Sequence, residues 1–147
     1  MAMTMSGEQL LAAPRETVWK ALNDPAILKA CIPGCETLDL IGENEFTAVA
    51  TNKIGPVKAR FKGKVKLTDL DPPNGYKISG EGDGGIAGFA KGGASVSLSD
   101  KDGGTLLSYN VEAQIGGKLA QLGQRLVNGA AKKMADDFFI RFAAAVK

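Results

Sequence analysis

The sequence predicts an α+β protein in which a curved antiparallel sheet of about seven strands wraps around a long C-terminal helix, the helix-grip arrangement. From Cys35 to Ile115 apolar and polar side chains alternate in period two, which is typical of strands covered on one face. After Gly116 the apolar side chains recur every three or four positions, which is typical of an amphipathic helix. The length of 147 residues suits one domain, residues 1–147.

The first elements are predicted in the order strand, helix, helix. Met3–Ala12 is the expected opening strand. In PRETVWKALND the proline stands where a first helical turn tolerates it, and Val18, Trp19 and Leu22 follow at helical spacing. PAILKAC, headed by Pro25, is a second short helix that IPG ends.

The middle of the chain is predicted to form an antiparallel meander of about six strands. Turn signals at GEN, DPPNG, the glycine-rich residues 82–88 and DKDGG divide it. The clearest strand is VKARFKGKVKLTDL, in which apolar residues such as Val57, Phe61 and Leu67 alternate with basic ones.

The terminal segment predicts one helix over Lys118–Val146 that lies across the sheet. Small residues such as Gly80, Gly92 and Ala94 occupy inward positions of the strands. Because cores are close-packed, either the sheet bends tightly around the helix or an apolar pocket remains. Candidate lining residues, for which plain core is the alternative, are Phe61, Val65, Ile78, Val96, Tyr109 and Val111 from the sheet and Leu122, Leu126, Ala130 and Met134 from the helix.

The composition excludes several kinds of catalytic site. The chain has no histidine, which removes Ser/His and Cys/His nucleophiles and His-ligated metals. Both cysteines lie in CIPGC, whose spacing fits neither a four-ligand zinc site nor a Cys-x-x-Cys redox motif. We therefore expect no metal and no cofactor, and a structural turn with two free thiols. Ile32, Pro33 and Phe89 are assigned to the mouth of the predicted cavity.

A basic stripe follows from the alternation in the clearest strand. The net charge of +2 does not by itself imply a polyanionic partner. The stripe is interpreted either as a solvated strand face or as a docking surface for anionic headgroups or an acidic partner. Nucleic acid is not expected, because no aromatic residues interleave with the basic ones. The stripe comprises Lys58, Arg60, Lys62, Lys64 and Lys66.

Two further motifs have simple structural interpretations. GEGDGG at residues 80–85 matches the dinucleotide fingerprint, but strand-like residues follow it instead of a helix. We therefore expect a flexible hairpin, and our hypothesis is that this hairpin gates the pocket. Phe138, Phe139 and Phe142 are expected to cap the core, with a dimer or membrane contact through Phe139 as the alternative. The N-terminus lacks the pattern of a signal peptide and no segment is apolar enough to span a membrane, which predicts a cytoplasmic protein.

Three separated stretches resemble the CoxG family of carbon monoxide dehydrogenase accessory proteins. They are ACIPGCE, GEGDGGIAGFAKGGASVSL and GGKLAQLGQRLVNGAAKKMADDFF, and the resemblance runs from Gly7 to Phe142. It implies membership of the START and Bet v 1-like superfamily, whose helix-grip fold often holds hydrophobic ligands between sheet and helix.

The resemblance also implies a role beside molybdenum hydroxylase-type dehydrogenases, as an accessory protein without their cofactors. Family members are connected with attachment to the cytoplasmic membrane, and longer ones carry a C-terminal extension. This chain ends at Lys147, so we expect it not to anchor itself independently in the membrane. We expect it instead to bind a lipid or quinone and to dock to a partner, as a peripheral protein at the inner face of the membrane. The alternatives are a polyketide cyclase or dehydratase-like enzyme, with Tyr109 as the inward polar group, and a docking module with an empty cavity.

Overall fold

The structure is a computed structural model and describes all residues, 1–147. Its seven strands form one antiparallel sheet in the order β1-β7-β6-β5-β4-β3-β2, which confirms the predicted fold class. The strands are β1 (Ala2–Leu11), β2 (Cys35–Gly42), β3 (Glu45–Ile54), β4 (Val57–Asp71), β5 (Gly75–Asp83), β6 (Phe89–Lys101) and β7 (Gly104–Gly116). The α-helices are α1 (Arg15–Leu22), α2 (Pro25–Cys31), α3 (Lys118–Gln121) and α4 (Gln124–Val146). No helix has both the length and the apolar character needed to cross a bilayer.

Local sequence signals set the two short helices. The side chain of Asp24 caps α2 by accepting a hydrogen bond from the Ala26 N–H at 2.9 Å, and Pro25 fills the first helical position. The chain then turns at Gly34, whose φ of 73° suits glycine and whose carbonyl accepts a hydrogen bond from the Thr51 N–H at 3.0 Å. CIPGC is therefore a structural turn with two free thiols, as predicted.

Two apolar clusters fill the space between the sheet and the helices. The larger cluster joins α1, α2, the sheet and the C-terminal half of α4, and Val18 and Phe142 in it are fully buried. The smaller cluster lies at the other end of the sheet and contains Met3, Ile115 and Val127. The sheet therefore has α4 along its concave side, with a tight core at each end.

The terminal helix differs from the prediction in its continuity and its phase. Gly123 has a φ of 91°, which breaks the segment into the short α3 and the 23-residue α4. The inward face of α4 starts at the buried Val127 and ends at Phe142 and Val146. The predicted stripe through Leu126 lies one residue earlier, which on a helix is a rotation of about 100°. The break explains the error, because the phase of α3 does not continue into α4.

Candidate ligand-binding cavity

An apolar cavity of about 350 Å³ lies between the sheet and α4. Its volume falls at the lower end of the range of about 300–1,000 Å³ that small-molecule sites occupy. All eighteen lining residues are apolar or aromatic. They come from all seven strands, from α1, α2 and the turn that follows α2, and from α4. The cavity can accept an apolar body but offers no charge inside.

Small side chains leave this space open. Ala94 of β6 pairs with Ile78 on one side and with Val111 on the other, so a methyl group stands between two larger neighbours. From the helix side, Ala135 also lines the cavity. Because neither alanine fills the distance between sheet and helix, the packing between Ala94 and Ala135 is incomplete.

The structure brings half of the ten predicted lining residues together. They are Val65, Ile78, Val96, Tyr109 and Val111. Phe61 is two inward positions away from Val65 along β4 and packs into the smaller cluster instead, where its ring occupies the space beside Gly84. Its assignment to the cavity was wrong because period two identifies the face of a strand and not the position along it.

The four predicted helix residues line a different space, an open groove of about 820 Å³ between α4 and the end of β3. The one-residue shift in helix phase places them there and turns them away from the cavity. Leu126 packs over Gly55 in the β3–β4 turn, and Lys53 and Arg125 add positive charge to the groove. The residues concerned are Leu122, Leu126, Ala130 and Met134.

The helix side of the cavity comes from residues that the sequence assigned to the core. Phe138 and Phe139 line it, and the ring of Phe139 stacks on Tyr109 with centroids 5.4 Å apart. Phe142 stacks on Phe138 at 5.5 Å and is fully buried. The predicted core cap is therefore confirmed, and Phe139 is partly buried against the core. The density of phenylalanines near the end of the chain was the signal for these lining residues.

The predicted mouth divides between two spaces. Ile32 lines the cavity, while the next residue, Pro33, lines the groove, so this turn separates the two spaces. Phe89 is 48% exposed on the opposite side of the sheet, since its neighbour Ala90 takes the inward position. The assignment of Phe89 to the mouth was therefore wrong.

The glycine-rich segment forms a tight hairpin without a following helix. A single 3₁₀ turn at Gly85–Ala87 is followed directly by β6, and Ala87 is buried. This context excludes the dinucleotide fingerprint, which needs a helix N-terminus for the phosphate. None of residues 82–88 lines the cavity or the groove, so the predicted gate does not lie over either of them.

Two tyrosines are among the lining residues, but their hydroxyl oxygens contribute almost no surface to the cavity. Tyr76 packs edge-on against Trp19 with ring centroids 5.4 Å apart, and burial raises the pKa of its phenol far above the usual value. Tyr109 lies at the boundary between the cavity and a crevice that separates β1 from α4. In that crevice Lys132 donates a hydrogen bond to Asp136 at 2.8 Å. The cavity lining itself contains no carboxylate.

The thiols show no sign of activation. Burial raises the pKa of the Cys31 thiol, although Arg141 opposes the shift. Burial is also the main reason that the pKa of Cys35 is raised. A raised pKa lowers the fraction of thiolate, which is the form that attacks electrophiles and binds metals.

Acidic residues on β2, β3 and β5 lie near members of the basic stripe on β4. Arg60 pairs with Glu36 at 2.8 Å and Lys66 with Glu45 at 3.8 Å. Lys62 and Lys64 stand opposite Asp83 and Glu81 in the sheet register. Only Lys58 faces another cation, Lys53. Lys58, at the end of the sheet near the β3–β4 turn, is therefore the member of the stripe that lies opposite a like charge.

A long helix gripped by a seven-stranded antiparallel sheet, with an apolar cavity between them, defines a protein with the helix-grip fold. The family model for the carbon monoxide dehydrogenase protein CoxG matches residues 7–147, and the chain belongs to that family. No curated protein matches the chain in sequence.

Solved structures share the fold of this chain. A conserved protein from Geobacillus kaustophilus is 36% identical, with a TM-score of 0.92 and coverage of 98% of this chain and 95% of that one. Ara h 8.0201 (18% identity, TM-score 0.71, coverage 99% and 98%) and the ZhuI aromatase/cyclase from Streptomyces sp. R1128 (10%, 0.72, 99% and 94%) share the fold alone.

Proposed function

We propose that the protein is a non-catalytic accessory protein of a carbon monoxide dehydrogenase-type, molybdenum-containing dehydrogenase, and that it binds a hydrophobic ligand, a lipid or a quinone, in its cavity. The family provides the link to the dehydrogenase. The observation that supports ligand binding is the cavity of about 350 Å³ with an entirely apolar or aromatic lining.

A quinone suits both parts of this proposal. A dehydrogenase must pass its electrons to an acceptor, and an apolar acceptor needs an enclosure outside the membrane. In this proposal the chain itself takes no part in the electron transfer from the dehydrogenase to the acceptor. It presents or removes the acceptor, and the chemistry belongs to the dehydrogenase.

The open groove accommodates the part of a long ligand that exceeds the cavity. Two pairs of consecutive residues separate the cavity from the groove. Ile32 and Ala135 line the cavity, whereas Pro33 and Met134 line the groove. In this proposal the ligand passes between the turn at Ile32–Pro33 and α4. Its tail lies on the apolar floor of the groove, where the four helix residues of the sequence prediction would contact it.

The end of the molecule at the β3–β4 turn is the proposed surface for peripheral contact with the inner face of the membrane or with the dehydrogenase. Lys53, Lys58 and Arg125 give it positive charge. Antiparallel pairing brings the β5–β6 turn to the same end, where Ile86 is 86% exposed. Cations beside an exposed apolar side chain suit an anionic lipid surface.

The cargo can be tested by native mass spectrometry of protein purified from the organism that makes it, followed by organic extraction. A bound neutral lipid or quinone in stoichiometric amount is the expected result. Protein that is empty in every preparation would contradict ligand transport and leave docking or assembly as the function.

Surface contact can be tested by sedimentation with vesicles that contain anionic phosphatidylglycerol. Binding should weaken as salt rises from low to physiological concentration, because exposed charges are screened over about 10 Å at 0.1 M. The double variant Lys53→Ser/Lys58→Ser should lose most of the binding. Lys77→Ser is the control, because Lys77 lies on β5 and is paired with Asp69 at 3.6 Å. This variant should keep its binding to the vesicles.

The cyclase alternative shares only the fold with this chain, since the aromatase/cyclase is 10% identical. Acid–base work in the cavity would require a second ionisable group beside a tyrosine hydroxyl. The lining offers no carboxylate, and the chain has no histidine. No observation favours this alternative over binding.

A further inference from the structure

The outer edge of β1 is an unpaired strand edge. β1 is an end strand of the sheet and pairs only with β7, over its whole length and without a register shift. The Met1 amino group donates a hydrogen bond to the Ile115 carbonyl at 3.0 Å, and the Ile115 N–H donates to the Met1 carbonyl at 2.7 Å. Because the direction of hydrogen bonding alternates along a strand, every second residue after Met1 points its backbone groups away from β7. These outward residues are Ala2, Thr4, Ser6, Glu8 and Leu10.

The rest of the chain leaves these outward backbone groups without partners. A crevice of about 490 Å³ separates β1 from α4, and the consecutive residues Met3 to Gln9 line it. Consecutive residues line one space only where the edge of a strand borders it, since the two faces alternate. None of the hydrogen bonds of turns, caps and side chains reaches the backbone of Thr4, Ser6 or Glu8. The crevice therefore keeps this edge open.

The two edges of the sheet differ in their protection against pairing. Proteins that avoid edge pairing use lysine, proline, β-bulges or a covering element at the edge strand. β2, at the opposite edge, has two register shifts against β3, and α2 packs against it. The ten residues of β1, AMTMSGEQLL, contain neither lysine nor proline and keep a regular register. A long regular edge of this kind is available to another strand.

The sequence of β1 fits a second copy of itself. A two-fold axis through Ser6 places the two copies of this serine opposite each other, Thr4 opposite Glu8 and Ala2 opposite Leu10. Glu8, the only ionisable side chain of the strand, then faces threonine and not a second glutamate, which would repel it. Leu10, which is 55% exposed, gains an apolar neighbour. All five outward residues have partners in this register.

We propose that two copies of the protein form a two-fold dimer in which their β1 strands pair antiparallel about Ser6. The two sheets then become one sheet of fourteen strands. The inference is independent of the proposed function, because Thr4, Ser6 and Glu8 line neither the cavity nor the groove. Antiparallel pairing places the β3–β4 turns of the two copies at opposite ends of the dimer, so a flat membrane contacts only one of them at a time.

The mass of the full chain in solution tests the dimer. Size-exclusion chromatography with light scattering, over a concentration series, should give the wild type twice the chain mass of 15.3 kDa. Ser6→Lys should raise the dissociation constant of the dimer by roughly 100-fold, because it brings two like charges together at the axis. The control is Ser97→Lys, which adds the same charge at an exposed position of the central strand β6 and should leave the dimer intact.

Oxidative cross-linking tests the register, in a Cys35→Ser background that removes the more accessible native thiol. Residues of a hydrogen-bonded antiparallel pair have α-carbons about 5.5 Å apart, which a disulfide can span. Ser6→Cys should therefore give a covalent dimer on a non-reducing gel. Glu8→Cys is the matched control, because the two copies of this position lie roughly 14 Å apart and should not cross-link.

Three results would overturn the inference. A wild type that keeps the mass of one chain at every concentration would exclude the dimer and leave the edge to an extended segment of another protein. A dimer that Ser6→Lys does not weaken would have its interface elsewhere, and cross-linking through Glu8→Cys would exclude the register about Ser6. Circular dichroism of each variant checks that the fold is kept. None of these results bears on the ligand in the cavity, so the proposed function is tested separately.

Discussion

Gly7 of β1 is a residue whose identity depends on one neighbour. A β-carbon at this position would stand 2.5 Å from the Tyr109 hydroxyl oxygen and 2.7 Å from the ring carbon that bears it. The Tyr109 ring is held on its other side by the stacked Phe139, so it cannot move aside freely. Glycine here allows the tyrosine to lie flat across β1.

The substitution Gly7→Ala should therefore destabilise the protein by roughly 1–3 kcal/mol, as overpacking of a filled site does. Urea denaturation gives the free energy of unfolding. The matched control is Gly129→Ala in α4, where an added β-carbon meets no atom within 4 Å and where alanine should stabilise the helix by about 0.5–1 kcal/mol. Equal effects of the two changes would contradict the steric argument.

Tyr76 should make stability fall at alkaline pH. Its pKa is raised in the folded state by burial, so above the usual value of about 10 the unfolded chain loses a proton that the folded chain retains. The unfolded state is then favoured as the pH rises, and below pH 10 the phenol has no such effect. Urea titrations at pH 8 and pH 11 should show a smaller loss of stability for Tyr76→Phe than for the wild type. An identical loss would mean that the phenol ionises without unfolding.

At the scale of single residues, the sequence predicted most of the candidate sheet residues of the cavity wall and none of the helix residues. Alternation in β7 placed Tyr109 inward, and small residues such as Ala94 indicated free space. The position of Phe61 along β4 was not predictable, because it depends on where α4 crosses the sheet. That crossing depends on tertiary packing, which period two does not report.

At the scale of elements, α4 combines a buried face with an exposed one. Phe142 is fully buried and stacks on Phe138, whereas Ile140 is 71% exposed two positions earlier. The two residues are similar in hydrophobicity and differ in the face of the helix that they occupy. The energetic contribution of α4 should therefore depend on helix phase.

Phe142→Ala should cost about 3–5 kcal/mol of unfolding free energy, which is the range for truncating a fully buried phenylalanine. Ile140→Ala should change stability by no more than about 0.5 kcal/mol, as surface substitutions do. Chemical denaturation of both variants measures the difference. A large cost at Ile140 would show that this face is covered by another molecule in solution.

The elements were predictable in type and order, but the break in the terminal helix and the phase of its last part were not. CIPGC, the proline-headed α2 and the strand turns all carry local signals that operate within a few residues. The break at Gly123 separates two helical segments that each look continuous in sequence. A single glycine in a helical pattern is tolerated often enough that it does not predict a break.

At the scale of the whole molecule, the cavity and the groove are two separate candidates for the bound ligand. Ala94 lines the cavity and not the groove, so Ala94→Leu should fill part of the cavity and leave the groove unchanged. At 100 times its dissociation constant, 2,3-dimethyl-1,4-naphthoquinone should stabilise the wild type by about 2.7 kcal/mol and raise the melting temperature by roughly 5–10 °C. The leucine variant should show at most a small shift. A full shift in the variant would place the probe in the groove.

The surface charge also required the whole molecule. The sequence showed five basic residues on one strand face but not their cross-strand neighbours, which depend on register. Register places Asp83 and Glu81 beside two of the lysines and leaves Lys58 beside Lys53. The proposed docking surface is therefore smaller than the stripe and lies at its end.

The contact of Trp19 with Tyr76 has a spectroscopic consequence. Trp19 is the only tryptophan of the chain, and its ring meets a side chain that lines the cavity. A quinone in the cavity would accept an electron or excitation energy from the indole at this range and extinguish its fluorescence, whereas a saturated lipid would only shift the emission. The unlabelled protein thus reports optically which of the two kinds of molecule it has taken up.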